Sequence, residues 1–137
     1  MGAGMRAEPD SVNLRVPFQA PSASVARHEL RAWLQERGVQ GETVEDARVV
    51  VSELVGNSVR HATPLPINDL VITWALEDDD LVISVSDGGS TSTSPHMVEA
   101  ARSAVSGRGL SIVQAMVERW WVDDGASETT VHVRIPL

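Results

Sequence analysis

Apolar residues occupy every second position from Val12 to Val16, and polar residues lie between them. This two-residue period predicts a first β-strand over residues 12–18, with one side of the strand facing a core. Later runs rich in β-branched and aromatic residues predict two hairpins, one turning at the aspartates 78–80 and one around Gly125. Their strands are expected to pair antiparallel and to cover residues 69–77, 81–87, 120–123 and 129–135.

A period near 3.6 residues predicts three helices. The first follows the first strand: Ser22 or Ser24 can cap its beginning, and Gly38 ends it. The second is predicted to begin at Thr43, which forms a variant of the capping box with Asp46 three residues later. The helical pattern covers about residues 25–34, 43–62 and 110–117.

The elements follow one another as β-α-α-β-β-α-β-β, without regular βαβ alternation. This order predicts an α/β fold built as a two-layer sandwich, with a mixed, mostly antiparallel sheet and helices on one face. A chain of 137 residues is long enough for one domain with a core. We expect a flexible N-terminal tail over residues 1–11, a single domain over residues 12–137, and a mobile loop where small polar residues dominate between 88 and 107.

Composition excludes several classes of function. Nineteen acidic and eleven basic residues give a net charge of -8, which disfavours binding to nucleic acid. All eleven basic residues are arginine, so a phosphate loop of the GxxxxGK[ST] type is absent. No cysteine is available for disulfides or thiolate metal sites, and no apolar run reaches the roughly 20 residues of a membrane span. We therefore expect a cytoplasmic protein.

Three polar residues form a stripe along the predicted second helix. Glu53, Asn57 and His61 are four residues apart and fall on one side, next to the apolar face. A solvated helix surface is the ordinary interpretation of such a stripe. Asparagine and the neighbouring Gly56 are both unfavourable inside a helix, however, which suggests a ligand close to the backbone. An amide oxygen such as that of Asn57 suits a hard cation such as Mg²⁺.

Two further segments could bind a ligand. Asp87 ends a predicted strand and is followed directly by a glycine pair, which is typical of an ordinary turn. A carboxylate at a strand end could also accept a hydrogen bond from a purine amino group. Later, Gly107-Arg108-Gly109-Leu110 opens the third predicted helix. Backbone amides before a helix, together with an arginine, suit a phosphate. Without a ligand, the same residues form a flexible loop.

The order and spacing of these three segments resemble the ATP-binding domain shared by gyrase, the 90-kDa chaperones, histidine kinases and mismatch-repair ATPases. Within this superfamily, the chain looks most like the small anti-sigma-factor serine kinases of bacterial partner-switching systems. The motif ELVGNSVRHA, which begins at Glu53, is similar to the family's helix motif. The resemblance covers about residues 12–137 and implies that the chain binds ATP and Mg²⁺.

The resemblance assigns roles to individual residues. Glu53 is the general base for the accepting serine hydroxyl, and Asn57 coordinates the Mg²⁺ that bridges the ATP phosphates. Asp87 accepts a hydrogen bond from the adenine amino group, and Gly89 allows close approach beneath the base. His61 also matches the motif and is interpreted as a cap or packing residue.

The remaining parts of the nucleotide site are implied in the same way. Residues 88–106 correspond to a short ATP lid, and Thr130 supports Asp87 and the adenine, with Thr129 as the alternative register. The phosphates are cradled by the family's second glycine box, which corresponds here to Gly107, Arg108, Gly109 and Leu110.

The sequence departs from the family in one motif and offers one misleading match. The family places glycines at the second and fourth positions after the aspartate, whereas Asp87 is followed here by the sequence GGST. The segment HELR, which begins at His28, also begins the phosphoaccepting box of sensor histidine kinases. That box lies in a separate hairpin far upstream of the nucleotide helix, whereas His28 precedes Asn57 closely. His28 is therefore interpreted as a surface or boundary residue.

The resemblance implies a serine/threonine kinase that also binds a partner: it holds a sigma factor in one state and phosphorylates an anti-sigma-factor antagonist in another. A nucleotide-dependent protein-binding module without phosphotransfer is the alternative. An α/β protein without a ligand would require three coincidences in the right order. The expected partners are the sigma factor and the antagonist, without nucleic acid or membrane. Because the members that look closest act as dimers, a homodimer is a further expectation.

Overall fold

The computed structural model describes residues 11–89, 117 and 119–137. The five predicted strands and the first two predicted helices are confirmed in these residues. The ends of the strands and of the second helix lie within one position of those expected, and the first helix extends three residues before and two residues after the predicted pattern. The third predicted helix and the lid lie outside the described residues, apart from Val117, Gly88 and Gly89 at their ends, as does the predicted tail apart from Ser11. The elements are β1 (Ser11–Pro17), α1 (Ser22–Glu36), α2 (Glu42–His61), β2 (Asp69–Glu77), β3 (Asp80–Asp87), β4 (Arg119–Asp124) and β5 (Thr129–Pro136).

The five strands form one open sheet in the order β1-β2-β3-β5-β4. Every neighbouring pair of described strands is antiparallel. The β2–β3 hairpin turns tightly at Asp78, which has a φ of 59°. Arg134 of β5 ties this hairpin to the sheet through ion pairs with Asp80 at 2.8 Å and Glu77 at 3.2 Å. The predicted α/β class with a mostly antiparallel sheet is confirmed.

Both helices cover one face of the sheet. Alternate residues of β3 and β5 are buried, as the two-residue period requires, and they pack with the apolar sides of α1 and α2 in one core. Trp33 of α1 meets Trp74 of β2 edge to face, with ring centroids 6.4 Å apart. The largest fully buried side chains are Trp74, Leu30, Leu34, Leu70, Ile72, Leu81, Ile83, Val50, Val51, Val55 and Val85.

The opposite face of the sheet is polar. His132 of β5 lies at its centre, within hydrogen-bond distance of the Ser84 hydroxyl at 2.7 Å and of the Asp123 carboxylate at 2.8 Å. The His132 ring stacks on Trp121 of β4. The Arg119 guanidinium lies over the Trp121 ring, 4.5 Å from its centroid. These contacts join β3, β4 and β5, and they stabilise the sheet on the side that carries no described helix.

The predicted helix caps are wrong. Ser22 lies inside α1 and donates its hydroxyl to the Pro17 carbonyl at 2.6 Å, while Pro21 occupies the cap position. Helix α2 begins at Glu42, because Gly41, with a φ of 73°, turns the chain into the helix before Thr43. No helix in the part of the chain that the structure describes is both long and apolar enough to cross a membrane.

Candidate functional site

Asn57 is the buried member of the polar stripe on α2. Asn57 is only 4% exposed, and its side-chain oxygen Oδ1 has no hydrogen-bond partner in the described structure. Leaving a buried polar atom without a partner costs about 1–3 kcal/mol. Glu53 and His61, one turn before and after, are half-buried. The stripe therefore contains one buried oxygen that a ligand could satisfy, next to a more accessible carboxylate.

This oxygen fits the family's Mg²⁺ ion. Mg²⁺ prefers oxygen ligands and commonly takes most of them from water and substrate phosphates, with few from the protein. Among the described residues, no group of three or more histidine or acidic side chains could hold a metal ion by itself. The amide of Asn57 thus suits a cation that arrives with a nucleotide, whereas a cage made of protein carboxylates alone does not fit this site.

Asp87 ends β3 on the helix-covered face and is 1% exposed. Ser58 of α2 donates its hydroxyl to Asp87 Oδ2 at 2.6 Å, and the Gly89 amide donates to Oδ1 at 2.8 Å. Burial raises the pKa of the Asp87 carboxyl above its ordinary value of 3.8, and these two hydrogen bonds act in the opposite direction. Each carboxylate oxygen retains a lone pair that can accept another donor.

The raised pKa of Asp87 predicts how stability changes with pH. The folded protein retains this proton to a higher pH than the unfolded chain, so the contribution to stability is full below pH 3.8 and is lost as pH rises through the raised pKa. Asp87→Asn removes this loss while keeping the side-chain shape. We expect the free energy of unfolding of Asp87→Asn, minus that of the wild type, to increase from pH 3.5 to pH 7. Urea unfolding at several pH values tests this, and a pH-independent difference would contradict it.

The glycine pair after Asp87 is closely packed. A Cβ atom on Gly88 would lie 2.2 Å from the carbonyl oxygen of Pro64, and Gly89 has a φ of 88°. Glycine is required at the two positions for different physical reasons. At Gly88 it allows close contact with the chain after α2, and at Gly89 it allows the left-handed backbone conformation. The predicted approach of Gly89 to a base stays a prediction.

Gly88→Ala is expected to destabilise the protein by about 2 kcal/mol or more, since the added methyl group would overlap backbone atoms. Gly56→Ala is the matched control, because its Cβ would meet only the flexible end of Arg60 at 3.1 Å. Alanine in a helix is favoured over glycine by about 1 kcal/mol, so this control should unfold no more easily than the wild type. Chemical denaturation of both variants tests the pair, and equal midpoints would contradict the proposed packing at Gly88.

The expected position of Thr130 beside Asp87 is wrong. In the β3–β5 ladder, Asp87 is opposite Thr129, which is 1% exposed, and Ser86 is opposite Thr130. The hydroxyls of Ser86 and Thr130 are hydrogen-bonded to each other at 2.7 Å on the polar face. Successive strand residues point to opposite sides of a sheet, so Thr129 is the threonine that shares the buried face with Asp87.

The predictions for the second glycine box and for His28 differ in whether the described residues test them. Gly107, Arg108, Gly109 and Leu110 lie outside the described residues, so their predicted role with phosphate stays a prediction. His28 is exposed on α1, in agreement with its interpretation as a surface residue. Ser58, which holds Asp87, has no place in the sequence-based predictions, although a polar side chain on a buried helix face indicates the need for a partner.

Comparisons with known proteins extend these observations. A family model described as "Histidine kinase-like ATPase domain" matches residues 16–135. The serine-protein kinase RsbW of Listeria monocytogenes serotype 4a (strain HCC23) is 25% identical over 131 residues, which cover 86% of this chain and 83% of that protein. RsbW of Staphylococcus aureus (strain MRSA252) is 33% identical over 89 residues, which cover 64% of this chain and 56% of that protein.

Two solved structures have a similar fold. The first contains the RsbU and RsbW domains of Rv1364c from Mycobacterium tuberculosis, with a TM-score of 0.71 and 25% identity over 93% of this chain and 32% of that chain. The second is the SiaB-SiaC complex from Pseudomonas aeruginosa, with a TM-score of 0.65 and 13% identity over 93% of this chain and 90% of that chain. At such low identity, the second likeness concerns the fold alone.

The predicted resemblance to small serine kinases of this superfamily is confirmed by the family model, the relatives and the first of these structures. The match extends over both helices and almost the whole sheet, and it includes Asn57 and Asp87. The chain therefore belongs to the histidine kinase-like ATPase domain family.

Proposed function

We propose that this protein binds ATP with Mg²⁺ and acts as a serine/threonine protein kinase and anti-sigma factor, whose phosphorylation substrate is an anti-sigma-factor antagonist. One observation carries the proposal. The hydrogen bond from Ser58 holds the buried Asp87 carboxylate against α2, and the residue before Ser58 is Asn57, whose buried side-chain oxygen has no partner in the described structure. We assign the carboxylate as the purine acceptor and the oxygen as the cation ligand of one nucleotide site, and the relatives named serine-protein kinase support the transfer chemistry.

In this proposal, Asp87 accepts a hydrogen bond from the adenine amino group, and Thr129 lies beside it on the same face. Asn57 holds the Mg²⁺ ion, which when bound neutralises charge on the phosphates. The phosphates are bound by the amides and the guanidinium of the second glycine box, which comprises Gly107, Arg108, Gly109 and Leu110.

Glu53 is the proposed general base. It lies one turn before Asn57 on the same stripe and is only half-buried, so an acceptor hydroxyl could reach it. The serine oxygen forms a bond to the γ-phosphorus, the bond from that phosphorus to the β–γ bridging oxygen breaks, and ADP leaves. The serine proton passes to the Glu53 carboxylate.

A nucleotide-dependent binding module without phosphotransfer is the second candidate. It is favoured by the departure of the glycine pair from the family's pattern, because Gly88 packs against the Pro64 backbone and so has a structural reason unrelated to a nucleotide. In that case ATP would change only which partner binds. Both candidates place the protein in the cytoplasm, and both allow the homodimer expected from the family.

Transfer of labelled phosphate distinguishes the two candidates. The purified protein is incubated with γ-labelled ATP, Mg²⁺ and candidate antagonist proteins encoded in the same genome, and the modified residue is identified by mass spectrometry. The kinase proposal predicts phosphoserine or phosphothreonine on one antagonist and none when that residue is replaced by alanine. ATP-dependent binding of an antagonist without transfer would favour the second candidate.

A further inference from the structure

The segment that leaves α2 is fastened to the two glycines that follow Asp87. Thr63 donates two hydrogen bonds to the Gly89 carbonyl, from its backbone amide at 2.9 Å and from its hydroxyl at 2.8 Å. In return, the Gly88 amide donates to the Thr63 carbonyl at 2.7 Å. We call these three hydrogen bonds the Thr63 clamp.

The clamp acts on the group that orients Asp87. The amide of Gly89 donates to Asp87 Oδ1, and the same residue's carbonyl is held by Thr63. Gly89 is buried and has a φ of 88°, a conformation available to few residues other than glycine, so external contacts are needed to fix it. Ser58 holds the second carboxylate oxygen at 2.6 Å. The carboxylate is thus fixed on both sides, once directly and once through Thr63.

We infer that Thr63 is a positioning residue that sets the preference for adenine over guanine nucleotides. The inference rests on the proposed function, because it assumes that Asp87 accepts the adenine amino group. Adenine presents an amino donor at the position where guanine presents an oxygen acceptor, so a fixed carboxylate attracts the first and repels the second. A carboxylate that can rotate discriminates less, since it can also turn toward the N1–H group of guanine, which is next to that oxygen.

Thr63→Val tests this role with little change of shape, because it removes the hydroxyl and retains the backbone amide. Thr63→Ser restores the hydroxyl, and Thr73→Val, on β2, is a matched control outside the clamp. For each protein we would measure the dissociation constants of ATP and GTP with Mg²⁺ by calorimetry, and the unfolding midpoint without nucleotide. Loss of one hydrogen bond should weaken ATP binding about fivefold in Thr63→Val and leave GTP binding within about twofold. Thr63→Ser should restore the ATP preference.

The possible failures are distinguishable. Equal weakening of ATP and GTP, or no change in either, would show that Thr63 only stabilises the fold and would overturn the inference while leaving the proposed function intact. The same conclusion would follow if Thr63→Ser behaved like Thr63→Val. Absence of nucleotide binding by the wild type would overturn both the inference and the proposed function. If Thr63→Val unfolds at low temperature, both nucleotides are titrated below its unfolding midpoint, where the inference still requires ATP binding to weaken more than GTP binding.

Discussion

Glu53→Ala is expected to lower the rate of phosphotransfer to the antagonist by at least about 100-fold, the usual contribution of a general base. The dissociation constant of ATP should stay within about twofold, because no nucleotide contact is assigned to this side chain. Glu53→Gln should lose as much activity as the alanine variant, since the amide keeps the shape of the side chain but cannot accept the proton at neutral pH. Initial rates at saturating ATP and antagonist test this.

Glu45→Ala is the matched control for this prediction. Glu45 also lies on α2, but it is exposed and forms a surface ion pair with Arg48 at 2.8 Å, so its loss should cost a few tenths of a kcal/mol in stability and leave the rate unchanged. If Glu53→Ala transfers phosphate as fast as Glu45→Ala, Glu53 is not the base. If Glu53→Ala loses ATP binding and activity in the same proportion, its role lies in the site's structure and not in proton transfer.

Asn57→Ala is expected to change stability in opposite directions with and without ligand. Without nucleotide the variant should be more stable by about 1 kcal/mol, because alanine favours the helix and the unsatisfied buried oxygen is removed. With ATP and Mg²⁺ at about 100 times the dissociation constant, the wild type should gain roughly 2.7 kcal/mol, and most of this gain should be absent from the variant. Thermal unfolding under both conditions measures the two effects.

Asn13→Ala serves as the control, because Asn13 is exposed on β1 and belongs to the polar face of the sheet. The substitution is the same chemical change on the face opposite the candidate site. It should respond to ATP and Mg²⁺ as the wild type does. An Asn57→Ala protein that is stabilised by ATP as strongly as Asn13→Ala would remove Asn57 from the cation site. A ligand-free Asn57→Ala protein that is much less stable than the wild type would show that its amide has a structural role.

Local sequence patterns account for most of the described fold. Strand β2 has the predicted ends, because alternation, β-branched residues and the aspartate turn all act within a few positions. The helix starts were less accessible to this reasoning. Gly41 begins α2 through a backbone conformation, and Ser22 uses its hydroxyl on the preceding strand, so neither start depends on the side-chain cap that the pattern suggested.

The candidate site shows where sequence reasoning reaches its limit. Asn57 and Asp87 could be selected because each is an unusual residue in its local setting. Thr129 and Thr130 are identical neighbours, and only the pairing of β5 with β3 decides which of them faces Asp87. Thr63 could not be selected from the sequence, because its partner Gly89 lies 26 positions away and their contact leaves no local pattern.

Calorimetric titration of the wild type and of Asp87→Asn with ATP, each with Mg²⁺ and with a chelator, tests most directly whether this site recognises ATP. We expect that the wild type binds ATP, that removal of Mg²⁺ weakens binding, and that Asp87→Asn stays folded but binds about 10- to 100-fold more weakly, as expected for loss of a hydrogen bond to a charged group. Absence of binding at millimolar ATP, or equal binding by wild type and Asp87→Asn, would show that this site does not recognise ATP through Asp87.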